Sequence, residues 1–350
     1  MTEPTTTSLA PLRWGILGTG SIAHTFATAL SRSATAELVA VASRDPAKAA
    51  AFAEQHHIPE PAENYPALLA NKSVDIVYVA TPHTTHLINA RDGLRAGKHV
   101  LCEKPLGMSL RDIELMTACA RQNNRFLMEG FAYRCHPQTT ALLAQLKAGV
   151  IGRPHIVDAS FSFRSEDGPE SRLFNPRLGG GSILDVGCYP MSFARMVAGA
   201  ASGKPYIEPG SILAQGQRGT TGIDEWASAL LQFPNQLSAE LSCGIRLQRS
   251  HRAIIVGEEG SLALEEPWIP RGNGAHTRLI LTPNRGEPEM IEVPIDRNCY
   301  TYEADHVASM IANSATESPA MDWGDSAGNA RALDQWLAAI PRAGTTHQRT

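Results

Sequence analysis

Gly15-Ile16-Leu17-Gly18-Thr19-Gly20-Ser21-Ile22-Ala23, GILGTGSIA, is the stretch that decides the fold. Leu12–Leu17 is short and apolar, as a buried parallel strand is, and Ile22, Phe26 and Leu30 then repeat at helical spacing. Between strand and helix lies a G-x-G-x-x-A pattern. Gly18 permits a tight turn, Gly20 lets the backbone approach a pyrophosphate, and Ala23 keeps helix and strand close. The free N–H groups at the start of such a helix face phosphates. Gly18, Thr19, Gly20, Ser21 and Ile22 are therefore the first candidate contacts to a dinucleotide.

Outward from this point, strand-like runs at 12–17, 37–43, 74–80, 98–102 and 125–130 alternate with helical patterns near 21–31, 46–57, 65–71, 84–96 and 109–123. Such alternation specifies an α/β doubly wound parallel sheet covered on both faces. Asp45-Pro46 adds a local check, with Asp as helix cap and Pro in the first helical position. The pattern changes after about residue 150. A helix near 137–149 is followed by extended runs at 155–164, 226–233, 237–246, 251–257, 261–265 and 278–283. FPNQ and GEEG read as hairpin turns between them, so this sheet is expected to be open and mostly antiparallel. Helices near 182–198, 301–313 and 325–339 complete an α+β unit, and 265–290 reads as loop or interface. The expected division is 11–135 for the nucleotide-binding domain and 136–340 for substrate binding and oligomerisation, between disordered tails at 1–10 and 341–350.

Composition narrows the function. With 350 residues, 43% of them hydrophobic, the chain can bury two cores. Thirty-one basic against 35 acidic residues give −4, with no long basic cluster, so neither nucleic acid nor an anionic membrane is expected as partner. Six scattered cysteines without C-x-x-C argue against a disulfide framework or a metal site and suit a reducing cytoplasm. The first residues resemble no secretory signal, and no apolar run is long enough to span a bilayer.

Three further stretches carry chemistry. The strand at 98–102 ends in Glu103-Lys104-Pro105, and the one at 74–80 in Thr81-Pro82-His83, with His86 close behind. The carboxyl ends of strands in such a sheet line the ligand crevice, so these residues are delivered to it. For His86 the alternative is a helix-start histidine without a chemical role. The third stretch is Gly179-Gly-Gly-Ser-Ile-Leu-Asp185-Val-Gly-Cys-Tyr189-Pro190. Asp185 and Tyr189, four apart, share one helix face, while the glycine run and Pro190 mark a local departure from regular helix. A buried tyrosine satisfied by Asp185 is the alternative to a reacting one.

Taken together, G18-T-G20-S-I-A23, E103-K104-P105 and GGGSILDVGCYP resemble the glucose–fructose oxidoreductase/inositol dehydrogenase/MocA (Gfo/Idh/MocA) family over residues 12 to 338. The resemblance implies an N-terminal Rossmann domain and a C-terminal α+β domain whose open sheet often forms an oligomer interface. It also implies hydride transfer between a nicotinamide cofactor and a sugar, polyol or related alcohol. Tyr189 stands where many members carry His, which places the chain nearest the branch with dimeric dihydrodiol dehydrogenase and NADP-dependent D-xylose dehydrogenase. The branch pattern maps a catalytic Lys onto Lys104, an acid/base Tyr onto Tyr189, a substrate-site aspartate onto Asp185, and a nicotinamide-side histidine onto His86.

The chemistry supports these assignments independently. Oxidising a secondary alcohol requires removal of its hydroxyl proton, and a free tyrosine with a pKa of about 10 is a poor base at neutrality. A nearby Lys104 ammonium is expected to lower that pKa, with Asp185 orienting the pair. The cofactor is expected to be NADP rather than NAD. NAD enzymes place an acidic residue at the end of the second strand, whereas Ser43-Arg44 here suits a 2′-phosphate, and Asp45 is explained as a helix cap. Apolar residues on both faces of 226–233 (Trp226, Ala227, Ala229, Leu230, Leu231, Phe233) point to a homodimer or homotetramer. The segment 163–181, with Arg164, Arg172, Asn175 and Arg177, is where substrate is expected to be read. A sugar or cyclic polyol is the leading substrate class. An aromatic and aliphatic pocket wall would instead favour a trans-dihydrodiol, and a nucleotide-sensing regulator on the same fold is the non-enzymatic alternative.

Overall fold

Short apolar runs without alternation form strands buried on both faces, and the first 130 residues consist of such runs. The computed structural model describes residues 10–59, 61–270 and 276–341. The expected tails therefore lie, but for residues 10 and 341, outside the described residues. Strands β1 (Leu12–Leu17), β2 (Ala36–Ala42), β3 (Ile76–Val79), β4 (His99–Glu103) and β5 (Leu127–Gly130) pair in parallel in the order β2-β1-β3-β4-β5. Helices α1 (Ser21–Leu30), α2 (Pro46–Gln55), α3 (Tyr65–Ala70), α4 (His86–Arg95) and α5 (Leu110–Asn123) connect them. Strand order reverses at β1, so the crevice opens beyond the carboxyl ends of β1 and β3. Gly18 sits there at φ +105°, and a Cβ on it would lie 2.6 Å from the Ala80 carbonyl oxygen. Only glycine fits this turn. As expected, the Asp45 carboxylate accepts the Ala47 N–H at 3.0 Å and caps α2.

The chain then runs through α6 (Pro137–Ala148) into an eight-stranded sheet. Its strands are β6 (Pro154–Ser162), β7 (Ser211–Arg218), β8 (Asp224–Gln232), β9 (Ser238–Gly244), β10 (Arg252–Gly257), β11 (Gly260–Leu264), β12 (His276–Pro283) and β13 (Glu289–Pro294). The order is β13-β12-β11-β10-β6-β9-β8-β7, with β6 and β9 parallel and all other neighbours antiparallel. Helices α7 (Cys188–Ala200) and α9 (Trp323–Ala339), with α6, cover one face. Helix α8 (Cys299–Ala312) packs on α1, where the Thr301 hydroxyl donates to the Ala29 carbonyl at 3.0 Å. Trp323 Nε1 donates to the Leu127 carbonyl at 3.0 Å, so the end of the chain returns to cover the first sheet.

Two expectations need correction. β7 was not anticipated, because SILAQGQR carries few hydrophobic residues, and Leu213 stands exposed among Ser211, Gln215 and Gln217 instead of marking a buried face. The segment 265–290 is more than loop: β12 and the start of β13 cross it, and residues 271–275 lie outside the described residues. On β8 apolar residues do stand on both faces. Ala227, Ala229 and Leu231 face the core, as does Phe233 beyond its end, while the other face carries Trp226, Ser228 and Leu230. The exposed apolar surface on that face extends beyond β8, with Ile156, Leu213, Leu230, Val256 and Met290 exposed.

Candidate functional site

The glycine turn after β1 opens into a cavity of about 960 Å³, at the upper end of ordinary ligand pockets. Gly18–Ile22, Ser43, Arg44, Thr81 and Pro82 line its nucleotide end, with Glu103, Lys104, Asp185 and Tyr189 on its inner wall. Two observations fit a dinucleotide here. Gly20 stands at the cap position of α1 without a side-chain cap, so the first N–H groups of the helix remain available. A Cβ on Gly20 would meet nothing within 4 Å, so the groove is open above the turn. The Thr19 hydroxyl donates to Ser43 Oγ at 3.3 Å and ties the turn to the end of β2. Lys48 and Tyr65 line the same end. Neither was named from the sequence, although Lys48 lies in the first turn of α2, directly after Ser43-Arg44 and the Asp45 cap.

At the inner wall, sequence peculiarities become geometry. Gly181 takes φ +127°, and any side chain there would collide with the Asp224 carboxylate. That carboxylate accepts the Ser182 hydroxyl at 2.7 Å and the Ile183 N–H at 2.6 Å, anchoring the start of a π-helical turn over Ile183–Gly187. The turn runs directly into α7, so Asp185 and Tyr189 do not share a regular α-helical face as the spacing implied. Pro190 has no N–H to offer the carbonyl of Asp185 five residues back. Lys104 Nζ donates to that carbonyl instead, at 2.8 Å, and stands 3.7 Å from Asp185 Oδ1. Arg172 donates to the same Oδ1 at 2.7 Å.

Charge is concentrated accordingly. Burial alone would raise the Asp185 carboxyl, but Lys104 and Arg172 hold it down at about 2. Burial opposes the Lys104 ammonium as well, yet Asp185 raises its pKa overall. Tyr189 packs edge-on against Phe131 and Phe161, with Lys104 Nζ 5.2 Å from its ring centroid. Here the expectation of a lowered tyrosine pKa is not met. Burial pushes the phenol well above 10, with Tyr300 and Glu103 adding to the effect, because the ammonium is engaged by Asp185. Tyr189 is a protonated phenol in this state.

The other candidates separate. Glu103 is buried and accepts the Tyr78 hydroxyl, and burial raises its pKa. His86 lies in the cavity wall without exposed surface. Its Nδ1 is 2.9 Å from the Pro105 carbonyl and its Nε2 is 2.8 Å from the Thr81 carbonyl. It presents no free nitrogen to a ligand. His83, which the sequence delivers to the crevice without assigning it a role, faces the Lys104–Asp185–Arg172 group, with its Nδ1 2.9 Å from the Gly179 carbonyl. Burial and the neighbouring His86 lower its pKa to about 3, so it is neutral. Of the four polar residues expected to read substrate, only Arg172 lines the cavity. Arg164 pairs with Glu166 on the surface, Asn175 caps the short turn Pro176–Leu178, and the Arg177 carbonyl accepts the Thr84 hydroxyl. The apolar part of the wall includes Phe161, Phe163, Leu178, Ile269 and Ile295, of which Phe163 and Leu178 fall in the segment 163–181, and Asp296, Arg297 and Asn298 add a polar stretch that no motif marked.

Comparison with known proteins bears on the family and the fold. Residues 12–131 match the family described as oxidoreductase family, NAD-binding Rossmann fold, and residues 140–263 match the GFO/IDH/MocA C-terminal domain. The chain is 33% identical over 336 residues to trans-1,2-dihydrobenzene-1,2-diol dehydrogenase of Mus musculus, covering 94% of this chain and 97% of that protein. The Danio rerio protein of the same name is 34% identical over 331 residues, covering 93% and 95%. Among solved structures, a 3-ketoreductase from Actinomadura kijaniata in complex with NADP and TDP-benzene superimposes with a TM-score of 0.84 at 27% identity, covering 94% and 98%. An aldose-aldose oxidoreductase from Caulobacter crescentus complexed with glycerol gives 0.83 at 25% identity, covering 94% and 97%. A Rossmann sheet, an open mostly antiparallel sheet and matches along most of its length make this chain a member of the Gfo/Idh/MocA oxidoreductase family.

Proposed function

We propose that the protein is an NADP-dependent oxidoreductase acting between a secondary alcohol and its carbonyl, with Tyr189 as the proton-transfer residue and Lys104 as its electrostatic partner. The observation that carries this reading is the meeting of Lys104, Asp185 and Tyr189 on the inner wall of the cavity that the glycine turn opens. Bound nicotinamide would exchange a hydride with the substrate carbon at its C4. The chain's own task is the proton. A protonated Tyr189 is ready to donate to a forming alkoxide in reduction. In oxidation the same phenol must lose its proton first, which the nearby Lys104 charge favours. Asp185, kept ionised by Arg172 and Lys104, orients the ammonium and can accept a substrate hydroxyl.

Preference for NADP rests on Ser43, Arg44 and Lys48 at the adenosine end and on Asp45 being occupied as the α2 cap. The substrate reading leans to a cyclic diol or hydroxyketone with one apolar ring face. Phe161, Phe163, Leu178 and Ile269 offer that ring a wall, and Arg172 with Asp185 meets its hydroxyls. A sugar or cyclic polyol is the second reading, favoured by that same charged pair. The non-enzymatic alternative, a nucleotide sensor, has no need of the Lys104–Asp185–Tyr189 group. We also take the functional division to fall near residue 135. Assembly into a homodimer or homotetramer through the open face of the second sheet is supported by its exposed apolar residues, Leu213 at 70% and Leu230 at 48% among them. Free, scattered cysteines suit the cytoplasm. The test is turnover with NADP or NAD against trans-dihydrodiols, inositols, pentoses and hexoses. Turnover of a diol at higher kcat/KM than any sugar supports the reading, turnover of a sugar alone selects the second, and turnover of none with NADP bound selects the sensor.

A further inference from the structure

Lys104 leaves β4 on a segment whose next amide offers no donor, because residue 105 is proline. The peptide unit after it, Pro105–Leu106, is gripped from both sides. His86 Nδ1 lies 2.9 Å from the Pro105 carbonyl oxygen, and the Leu106 N–H donates to Glu129 Oε1 at 2.9 Å. A donor-bearing ring thus faces the negative end of one peptide dipole, and a carboxylate faces its positive end. Both side chains are almost fully buried, and they come from separate elements, the start of α4 and the end strand β5. The second imidazole nitrogen lies 2.8 Å from the Thr81 carbonyl at the end of β3. Glu129 meets the rest of the site from behind. Ser326, Asp325 and Arg134 lie near it, its Oε2 is buried without a partner, and its charge is felt by Cys102 and by Cys188, the residue before Tyr189.

We propose that His86 and Glu129 are positioning residues, clamping the Pro105–Leu106 peptide so that the Lys104 ammonium is held on the Asp185 carbonyl beside Tyr189. This rests on the reading that Lys104 serves Tyr189, but the clamp itself is a statement about geometry. It explains why two polar groups are buried where an apolar packing would be cheaper, since a buried polar group is retained when it is hydrogen-bonded to something that must not move. It also gives His86 a role that needs no contact with the reacting atoms. Both groups titrate. Burial raises Glu129 to about 7 and lowers His86, whose neighbours Lys104 and His83 are both basic. A neutral imidazole has one N–H for two carbonyls, so both contacts are donated together only by the imidazolium.

The geometry can be read without a substrate. Lys104 acetylation by acetic anhydride at pH 8, quantified by mass spectrometry against the surface residue Lys147, reports how firmly its ammonium is held. Glu129→Ala and His86→Leu should each speed Lys104 labelling about tenfold, the equivalent of one lost hydrogen bond to a charged group. Glu129→Gln and His86→Gln keep one hydrogen-bonding group and should fall between these and wild type. They also decide the matter should the larger changes fail to fold. In turnover with the best panel compound, kcat should fall while KM stays constant, and Glu129→Ala should cost nothing further in a Lys104→Ala background. Labelling at the wild-type rate in every folded variant would overturn the clamp. If labelling accelerates but Lys104→Ala leaves kcat unchanged, the clamp stands and the catalytic reading of Lys104 falls.

Discussion

The two sheets put their chemistry in different places. In the five-stranded sheet every strand runs the same way, so all carboxyl ends meet along one edge, and the glycine turn, Ser43, Thr81 and Lys104 collect there. In the eight-stranded sheet neighbours mostly run in opposite directions, and no edge gathers strand ends. It contributes Asp185 and Tyr189 through a π-helical turn and helix packed on its covered face, and it leaves apolar side chains exposed among polar ones on the other face. A parallel sheet makes a site by topology, whereas an antiparallel one must carry its site on a helix and is free to use its remaining face for association.

The comparison breaks most visibly at the junction. Tyr189→Phe removes one hydroxyl from the second unit and should lower kcat by on the order of 10²–10⁴, with folding and NADP affinity unchanged. Lys104→Ala, from the first unit, should cost a similar factor, and the double variant less than the product, because the two act together. Near wild-type turnover in Tyr189→Phe would move the proton transfer to another group. On the open face, Leu213→Glu with Leu230→Glu should weaken self-association by on the order of a hundredfold in sedimentation equilibrium. Cofactor affinity should not follow, since that face is remote from the strand ends of the first sheet. A single species of monomer mass in the wild type would end that prediction.

Smaller effects sharpen the electrostatic side. Asp185 is held at about 2 against an ordinary 3.8, so its contribution to stability is fully present above about pH 4 and is lost as pH falls through about 2. Wild type should exceed Asp185→Asn by about 2 kcal/mol in urea unfolding at pH 6, and the gap should close near pH 2. A gap that stays constant between these pH values would show that the carboxylate is not the source. At the nucleotide end, Arg44→Ala should weaken NADP binding about tenfold and leave NAD almost untouched, as loss of one charged contact to the 2′-phosphate would. Equal losses for both cofactors would assign Arg44 to the adenine instead.

Local chemistry made the first sheet and the nucleotide turn legible. Five apolar runs, a glycine pattern and an Asp-Pro cap each depend on residues within a few positions of one another. Lys104, Asp185 and Tyr189 were legible for the same reason, being embedded in short stretches rich in glycine and proline. β7 and β13 were not, because edge strands half open to solvent carry too few apolar residues to alternate clearly.

What the sequence by itself determined, then, is the order of elements in the first unit, its parallel sheet, the phosphate-facing turn and the identity of the residues at strand ends, all written in backbone conformation and hydrophobic period. Only the tertiary structure decided which side chains face the reacting end. It turned His86 inward and brought His83 beside Asp185, although both stand in the same short stretch. It gave the Asp185 carbonyl that Pro190 cannot serve to the ammonium of Lys104, 81 positions earlier. It also kept Tyr189 protonated by burial where proximity to a lysine implied the reverse. These outcomes depend on desolvation and on partners distant in the chain, and neither is encoded in the spacing of nearby residues.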